Sequence, residues 1–147
     1  MTRSWDATTY HRVSAPQLEW AGKVLERLPL RGDETVLDAG CGSGRVTQLL
    51  LDRLPHGRVV AVDSSESMVA HAREALDPAR TTVIQADLAA QTVSWDGGEA
   101  SFEIDPETKR RLLEGLDDIG VTLQMADAID RYEAERERSG PVTTTLA

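Results

Sequence analysis

The chain has 147 residues, of which 40% are hydrophobic and 28% charged, and its formal net charge is −9. These values predict one globular domain with enough apolar residues for a core, and the negative charge disfavours a nucleic-acid partner. No apolar run approaches the roughly 20 residues of a membrane span and no signal peptide is recognisable, so we expect a soluble, cytoplasmic protein.

The charge is unevenly distributed along the chain. Residues 1–90 carry 10 basic against 12 acidic side chains, whereas residues 91–147 carry 6 against 13. Two parts of different character are therefore expected. The single cysteine, Cys41, excludes an internal disulfide and a multi-cysteine metal site, and we expect it to be a small buried side chain rather than a nucleophile. No metal site is predicted.

Residues 1–90 alternate helical and strand patterns. After a stretch without periodicity, Pro16 and the apolar residues that follow predict a helix over 16–28. The next predicted elements are a buried strand at 35–37, a helix at 45–54, a strand at 58–63, a helix capped by Ser64 or Ser65, and a strand at 82–87. This order, β-α-β-α-β, predicts an α/β fold with a Rossmann-like half of parallel strands and right-handed crossovers.

A glycine turn follows the first strand. Gly40, Gly42 and Gly44 leave room for a sharp bend and for a ligand beside the backbone. The spacing is G-x-G-x-G rather than the G-x-G-x-x-G of dinucleotide sites, and Asp38 would repel a diphosphate but suit an ammonium group. S-adenosylmethionine has such a group, a ribose with two hydroxyls for Asp63 at the second strand end, and no phosphate. A purely structural strand-to-helix corner is the alternative.

Residues 35–87 resemble class I S-adenosylmethionine-dependent methyltransferases. The run Val36-Leu37-Asp38-Ala39-Gly40-Cys41-Gly42-Ser43-Gly44 matches the first motif of that family, and residues 5–10 and 62–69 look like its trans-aconitate methyltransferase branch. The resemblance implies methyl transfer to a small acid and a cofactor-binding role for eight residues. Asp38, Gly40, Gly42 and Gly44 would hold the methionine end, Asp63 the ribose, and Asp87 with Leu88 the adenine edge. Ser64 is the eighth residue and is assigned to the cofactor without a particular part of it. An acid such as Asp87 is also a common helix cap.

The remaining residues depart from that pattern. Alternating residues around a glycine turn predict a β-hairpin from residue 91 to 104, which could cover the sheet edge where a fourth strand is missing. Asp105-Pro106 begins a helix carrying Leu112, Leu113 and Leu116, and Asp117-Asp118-Ile119-Gly120 reads as a turn. A last helix is predicted at about 124–138, followed by a loose tail.

A second resemblance covers about residues 88–147. Phe102-Glu103-Ile104-Asp105 and the run from Arg111 to Gln124 look like the C-terminal end of the small subunit of 3-isopropylmalate dehydratase. The resemblance implies leucine biosynthesis and a large-subunit partner that holds an iron-sulfur cluster. No catalytic residue of that family falls on this segment.

The two resemblances together predict a chimera. Residues 1–90 would be a truncated S-adenosylmethionine-binding methyltransferase domain, and residues 91–147 a dehydratase-like tail, with the seam near 87–90. The expected function is methyl transfer from S-adenosylmethionine to a small acid by an incomplete enzyme. A dehydratase small-subunit fragment and a non-functional fusion are the alternatives.

Overall fold

A computed structural model of the protein describes residues 15–140 and divides the chain into two compact units, with the boundary between Glu103 and Ile104. The elements of the first unit are α1 (Ala15–Leu25), β1 (Thr35–Ala39), α2 (Arg45–Arg53), β2 (Arg58–Asp63), α3 (Glu66–Ala75), β3 (Thr81–Asp87), β4 (Thr92–Trp95) and β5 (Gly98–Ser101). Those of the second are α4 (Pro106–Glu114), α5 (Asp118–Leu123) and α6 (Ala126–Ser139). The predicted α/β class and β-α-β-α-β order are confirmed.

The five strands form one sheet in the order β1-β2-β3-β4-β5. The first three are parallel, and the predicted hairpin is present as β4 and β5, with β4 antiparallel to β3. The suggestion that the hairpin covers the edge left by a missing fourth strand is wrong, because in a doubly wound sheet that strand would adjoin β1. Only residues 88–91 separate β3 from β4, which is too short for a crossover, so the hairpin returns beside β3.

The core lies on one face of this sheet. Val59, Ala61 and Val83 are buried and alternate along their strands, so they point to the same side. They pack in one cluster with residues of α1, α2, α3 and the segments after them, namely Leu25, Leu50, Leu51, Leu54, Val69, Ala72 and Leu76. The helices α2 and α3 therefore cover the same face, as expected when two right-handed crossovers step in one direction across a sheet.

The opposite face is largely uncovered within the described part of the first unit. Leu37 is 64% exposed, and Thr35, Ala39 and Thr82 are exposed as well. The prediction that β1 is a buried strand is therefore wrong for alternate residues of that strand. Parallel sheets are normally covered on both faces, whereas here both crossover helices lie on one side. We call the exposed side, defined by Leu37, Val60, Val62 and Ile84, the open face.

The second unit is helical. Asp105 caps α4 as predicted, since its Oδ1 accepts the N–H of Thr108 at 2.8 Å, and the helix ends at Gly115 with φ of 68°. The predicted turn at residues 117–120 is wrong: Asp117 is the N-cap of α5 and accepts the N–H of Gly120 at 2.7 Å. A capping aspartate serves a turn and a helix start alike, so the sequence did not separate them. Neither α4 nor α5 has a buried residue.

Candidate functional site

The glycine turn lies at the carboxyl edge of the parallel strands. Ala39 at the end of β1 pairs with Val62, and the N–H groups of Gly40 and Cys41 both donate to the carbonyl of Val62, at 2.7 and 3.0 Å. The chain leaving β1 is thereby bonded to the end of the neighbouring strand. This edge is where open α/β sheets bind their ligands.

Asp63 connects the turn to the end of β2. Its Oδ2 accepts the N–H of Gly42 at 2.8 Å, and its Oδ1 accepts the N–H of Ser65, also at 2.8 Å. Each carboxylate oxygen can accept a further hydrogen bond. The side chain therefore shapes the turn and retains acceptor capacity for the two hydroxyls of a ribose.

The three glycines of the turn have different reasons to be glycine. All have positive φ, at 83° for Gly40, 55° for Gly42 and 85° for Gly44. A Cβ built on Gly44 would lie 2.9 Å from Cδ1 of Leu76, whereas one on Gly40 or Gly42 would meet nothing within 4 Å. Positive φ and the contact with Leu76 both favour glycine at position 44, while the other two glycines border open space in which a ligand can approach the backbone.

Asp38 is held by a residue that the sequence did not single out. The hydroxyl of Thr47 in α2 donates to Oδ2 of Asp38 at 2.6 Å, and Thr47 is fully buried. The buried positions of α2 and its end are 47, 50, 51 and 54, a regular helical stripe. Thr47 could have been identified from the sequence by its position in this stripe, where the other three residues are leucines.

The predicted adenine residues Asp87 and Leu88, together with Ser64, are less closely tied to the turn. Asp87 lies two residues beyond Gln85, which pairs with Asp63, so it is about 7 Å further along the sheet. Its Oδ1 accepts the N–H of Ala90 at 2.9 Å and it is exposed, while Leu88 is half-buried in the same turn. Ser64 is exposed directly after Asp63. The structure thus brings Asp38, the glycines and Asp63 together. Asp87 is separate from them, and its carboxylate bonds within its own turn, to the N–H of Ala90.

The raised pKa of Cys41 reflects both its burial and the electronegative environment of the turn. Burial, followed in importance by the negative charges of Asp63 and then Asp38, raises the pKa of its thiol to about 12. Both carboxylates therefore act on the same small region. Their combined field disfavours an anion such as a diphosphate and favours a ligand that carries positive charge.

No group of three or more His, Cys, Asp or Glu side chains suited to a metal ion occurs among residues 15–140. Within the same part of the chain, no helix is both long and apolar enough to cross a membrane.

Two family profiles match the chain, in separate segments. Residues 36–104 match the family described as "Methyltransferase domain", and residues 118–141 match the C-terminal domain of the 3-isopropylmalate dehydratase small subunit. The first compact unit therefore resembles methyltransferases and the second resembles the end of that dehydratase protein, as both motif sets predicted.

Individual relatives give the same picture. A trans-aconitate 2-methyltransferase of Azoarcus sp. is 42% identical over 87 residues, which are 59% of this chain and 34% of that protein. A 3-isopropylmalate dehydratase small subunit of Nocardioides sp. is 46% identical over 89 residues, 58% of this chain and 44% of that protein. This chain therefore spans less than half the length of either relative. Since each match covers more than half of the chain, the two overlap and no single residue separates them.

A solved structure supports an argument about the fold of the first unit. It is a chain in the complex between the Haloferax volcanii Trm112 methyltransferase activator and the putative methyltransferase, with 28% identity and a TM-score of 0.50. The match covers 55% of this chain and 36% of that one. The first unit therefore has part of the fold seen in that complex. A crystal structure of a SAM-dependent methyltransferase from Aquifex aeolicus is also similar, with 29% identity and a TM-score of 0.47 over 56% of this chain and 48% of that one.

Proposed function

We propose that the first unit binds S-adenosylmethionine at the glycine turn. The observation that carries the proposal is the bond between Asp63 and Gly42, which holds two predicted contact sites of one ligand in a fixed relation. Preorganised backbone and carboxylate groups lower the cost of ordering a site when the ligand arrives. The methyltransferase match over residues 36–104 supports the choice of ligand.

Each part of the ligand has a suitable group in the turn. The open space beside Gly40 and Gly42 admits the amino-acid end along the backbone, and Asp38 supplies a carboxylate for its ammonium. Asp63 keeps acceptor capacity for the ribose hydroxyls. In this proposal Ser64 lies beside the ribose, and Asp87 with Leu88 contacts the adenine from the end of β3. The two carboxylates that raise the pKa of Cys41 also favour a cationic ligand.

We further propose that the reaction served by this site is methyl transfer to a small acid, as in the name of the Azoarcus relative. The bound cofactor would supply an electrophilic methyl group on its sulfonium. The residues of this chain would contribute positioning: the glycine turn and Asp63 orient the cofactor, which is the main requirement of such a transfer.

Calorimetric titration tests the binding proposal. We expect the wild-type chain to release or absorb heat with S-adenosylmethionine and Asp63→Asn to weaken binding at least tenfold, because the substitution removes a charge and an acceptor from the ribose position. Asp52→Asn is the matched control, since Asp52 is exposed in the last turn of α2, at the opposite end of that helix from the glycine turn. Absence of binding, or equal binding by both variants, contradicts the proposal.

Transfer itself is measured with radiolabelled S-adenosylmethionine and trans-aconitate. Labelled methyl ester that disappears in Asp63→Asn and persists in Asp52→Asn supports the methyltransferase assignment. Cofactor binding without any labelled product would show that the chain retains only the cofactor half of the activity.

A second candidate function concerns residues 104–140. The dehydratase match at 118–141, together with the exposure of Leu112, Ile119 and Leu123, favours a helical segment that binds a protein partner. We propose a 3-isopropylmalate dehydratase large subunit as that partner. Co-purification of tagged chain with such a subunit, lost in Ile119→Lys and retained in the exposed-surface control Glu133→Lys, supports it. Equal recovery with both variants contradicts it.

We also propose that the two segments were joined by fusion, recombination or sequence assembly. Amplifying source DNA across codons 80–110 distinguishes these origins, since a single uninterrupted product excludes an assembly error. A cooperative melting transition of the expressed chain counts against a non-functional fusion.

A further inference from the structure

Thr47 is a fully buried polar residue inside an otherwise apolar stripe. Its neighbours on the same helix face are Leu50, Leu51 and Leu54, all buried. A buried hydroxyl without a partner costs free energy, so a hydrogen bond stabilises a threonine in this stripe. That bond goes to Oδ2 of Asp38, nine residues earlier in the chain and on a different element.

The geometry of this bond is that of a charge-assisted contact. At 2.6 Å the separation between Oγ1 of Thr47 and Oδ2 of Asp38 falls in the short range typical of a hydroxyl donating to a carboxylate. A threonine inside a helix commonly bonds a carbonyl of the preceding turn instead. Here the carbonyl of Gly44 accepts the N–H of Gln48, and the Thr47 hydroxyl is directed across to the strand end.

We propose that Thr47 is the positioning residue for Asp38. By bonding Oδ2 of Asp38, it leaves Oδ1 to accept a hydrogen bond from the ammonium group of the cofactor's amino-acid end. This inference rests on the proposed binding of S-adenosylmethionine. The terminal torsion of an aspartate is broad and roughly two-fold. A fixed bond to one oxygen removes that freedom and sets the plane in which the other oxygen lies.

Thr47→Val tests the role, because valine preserves the branched shape in the stripe and removes only the hydroxyl. Two ligands are compared by calorimetry: S-adenosylmethionine, and 5′-methylthioadenosine, which has the same adenosine and sulfur but no amino acid. We expect Thr47→Val to weaken S-adenosylmethionine about 10- to 100-fold, the usual range for a bond to a charged group. Binding of 5′-methylthioadenosine should change less than about twofold, and Thr47→Ser should retain the wild-type preference.

Thr81→Val is the matched control, since Thr81 is also buried but lies at the amino end of β3, opposite the turn. It should leave the affinity for both ligands unchanged. A double-mutant cycle adds a second readout: in an Asp38→Asn background, Thr47→Val should have no further effect on S-adenosylmethionine.

The outcomes separate this inference from the binding proposal. If wild type binds S-adenosylmethionine and Thr47→Val weakens both ligands equally, or neither, Thr47 acts only in packing and the inference is overturned. If wild type binds neither ligand, the cofactor proposal fails and takes the inference with it. Thermal melting of each variant verifies that it is folded during the titration.

Discussion

Asp63 and Gly42 are joined by a hydrogen bond between Oδ2 and the backbone N–H at 2.8 Å, across 21 residues of sequence. The bond links the end of β2 to the middle of the glycine turn. With its other oxygen Asp63 accepts the N–H of Ser65 at the start of α3. One side chain thus connects the end of β2, the glycine turn and the start of α3, so its loss should affect folding as well as the proposed binding.

Asp63→Ala is therefore expected to lower the free energy of unfolding by about 2 kcal/mol, since two backbone N–H groups lose a charged acceptor. Urea denaturation followed by circular dichroism measures the change. Asp87→Ala serves as the control, because Asp87 is exposed and accepts one local N–H, from Ala90. Its effect should be clearly smaller, and an equal or larger loss would contradict the linking role of Asp63.

The glycines of the turn should respond differently to alanine. Gly44→Ala is expected to destabilise the protein by roughly 1–3 kcal/mol, through positive φ and through contact of the new Cβ with Leu76 at 2.9 Å. Gly40→Ala incurs only the conformational cost, of order 1 kcal/mol, but should weaken S-adenosylmethionine at least tenfold by filling the open space. Urea denaturation and calorimetry measure the two effects.

Gly22→Ala is the control for this pair. Gly22 lies inside α1, its φ is not positive and nothing lies within 4 Å of an added Cβ. Alanine there should stabilise the protein by about 0.5–1 kcal/mol and leave ligand binding unchanged. If Gly40→Ala binds S-adenosylmethionine like Gly22→Ala, the ligand does not lie along the turn.

Features that depend on residues close together in the sequence could be predicted, whereas contacts between distant residues could not. The glycine turn, Asp38 and the cap at Asp105 depend on residues close in sequence, and their local geometry could be inferred from spacing. The link between Asp63 and Gly42 depends on strand register, which the sequence does not specify. Thr47 escaped notice because hydrophobic periodicity counts only apolar side chains.

The open face could not be inferred from the sequence for another reason. The apolar strand 35–37 has the composition of a buried strand, and burial was expected from that alone. Whether a face is covered depends on which later elements cross the sheet. Here the chain turns back after β3 and builds a hairpin, so no crossover places a helix of the first unit over Leu37.

Thr81 allows the cost of a buried hydroxyl without a hydrogen bond to be measured. Its Oγ1 is buried and has no hydrogen-bond partner among the described residues. Thr81→Val should stabilise the protein by about 1 kcal/mol, because it removes an unsatisfied hydroxyl without changing the volume. Urea denaturation measures this, with Thr82→Val, an exposed neighbour on the same strand, as the control. A loss of stability in Thr81→Val would indicate that the hydroxyl has a partner in solution.

The Cys41 thiol should react slowly in the native protein. With a pKa of about 12, only about a thousandth of the thiol is ionised at pH 9, and the thiolate is the reactive form. We expect labelling by 5,5′-dithiobis-(2-nitrobenzoic acid) to be slow at that pH and immediate in guanidinium chloride. Asp63→Ala should speed the native reaction, since the charge of Asp63 contributes to the raised pKa.

Reactivity equal to that of the unfolded chain would contradict the burial of Cys41. The pH dependence of labelling tests the raised pKa of Cys41 independently. The labelling rate of the native protein should continue to rise from pH 9 to pH 11, a range in which the rate for an ordinary cysteine has already levelled off.

Adjacent residues of β1 test the open face. Val36 packs against the buried core, whereas Leu37 is 64% exposed on the other side of the same strand. Val36→Gln should cost about 1–3 kcal/mol of unfolding free energy, and Leu37→Gln should change it by less than about 0.5 kcal/mol. Sedimentation velocity should also show less self-association for Leu37→Gln, since an exposed leucine on the edge strand of the described sheet promotes it. Equal destabilisation by both substitutions would mean that the face is covered in solution.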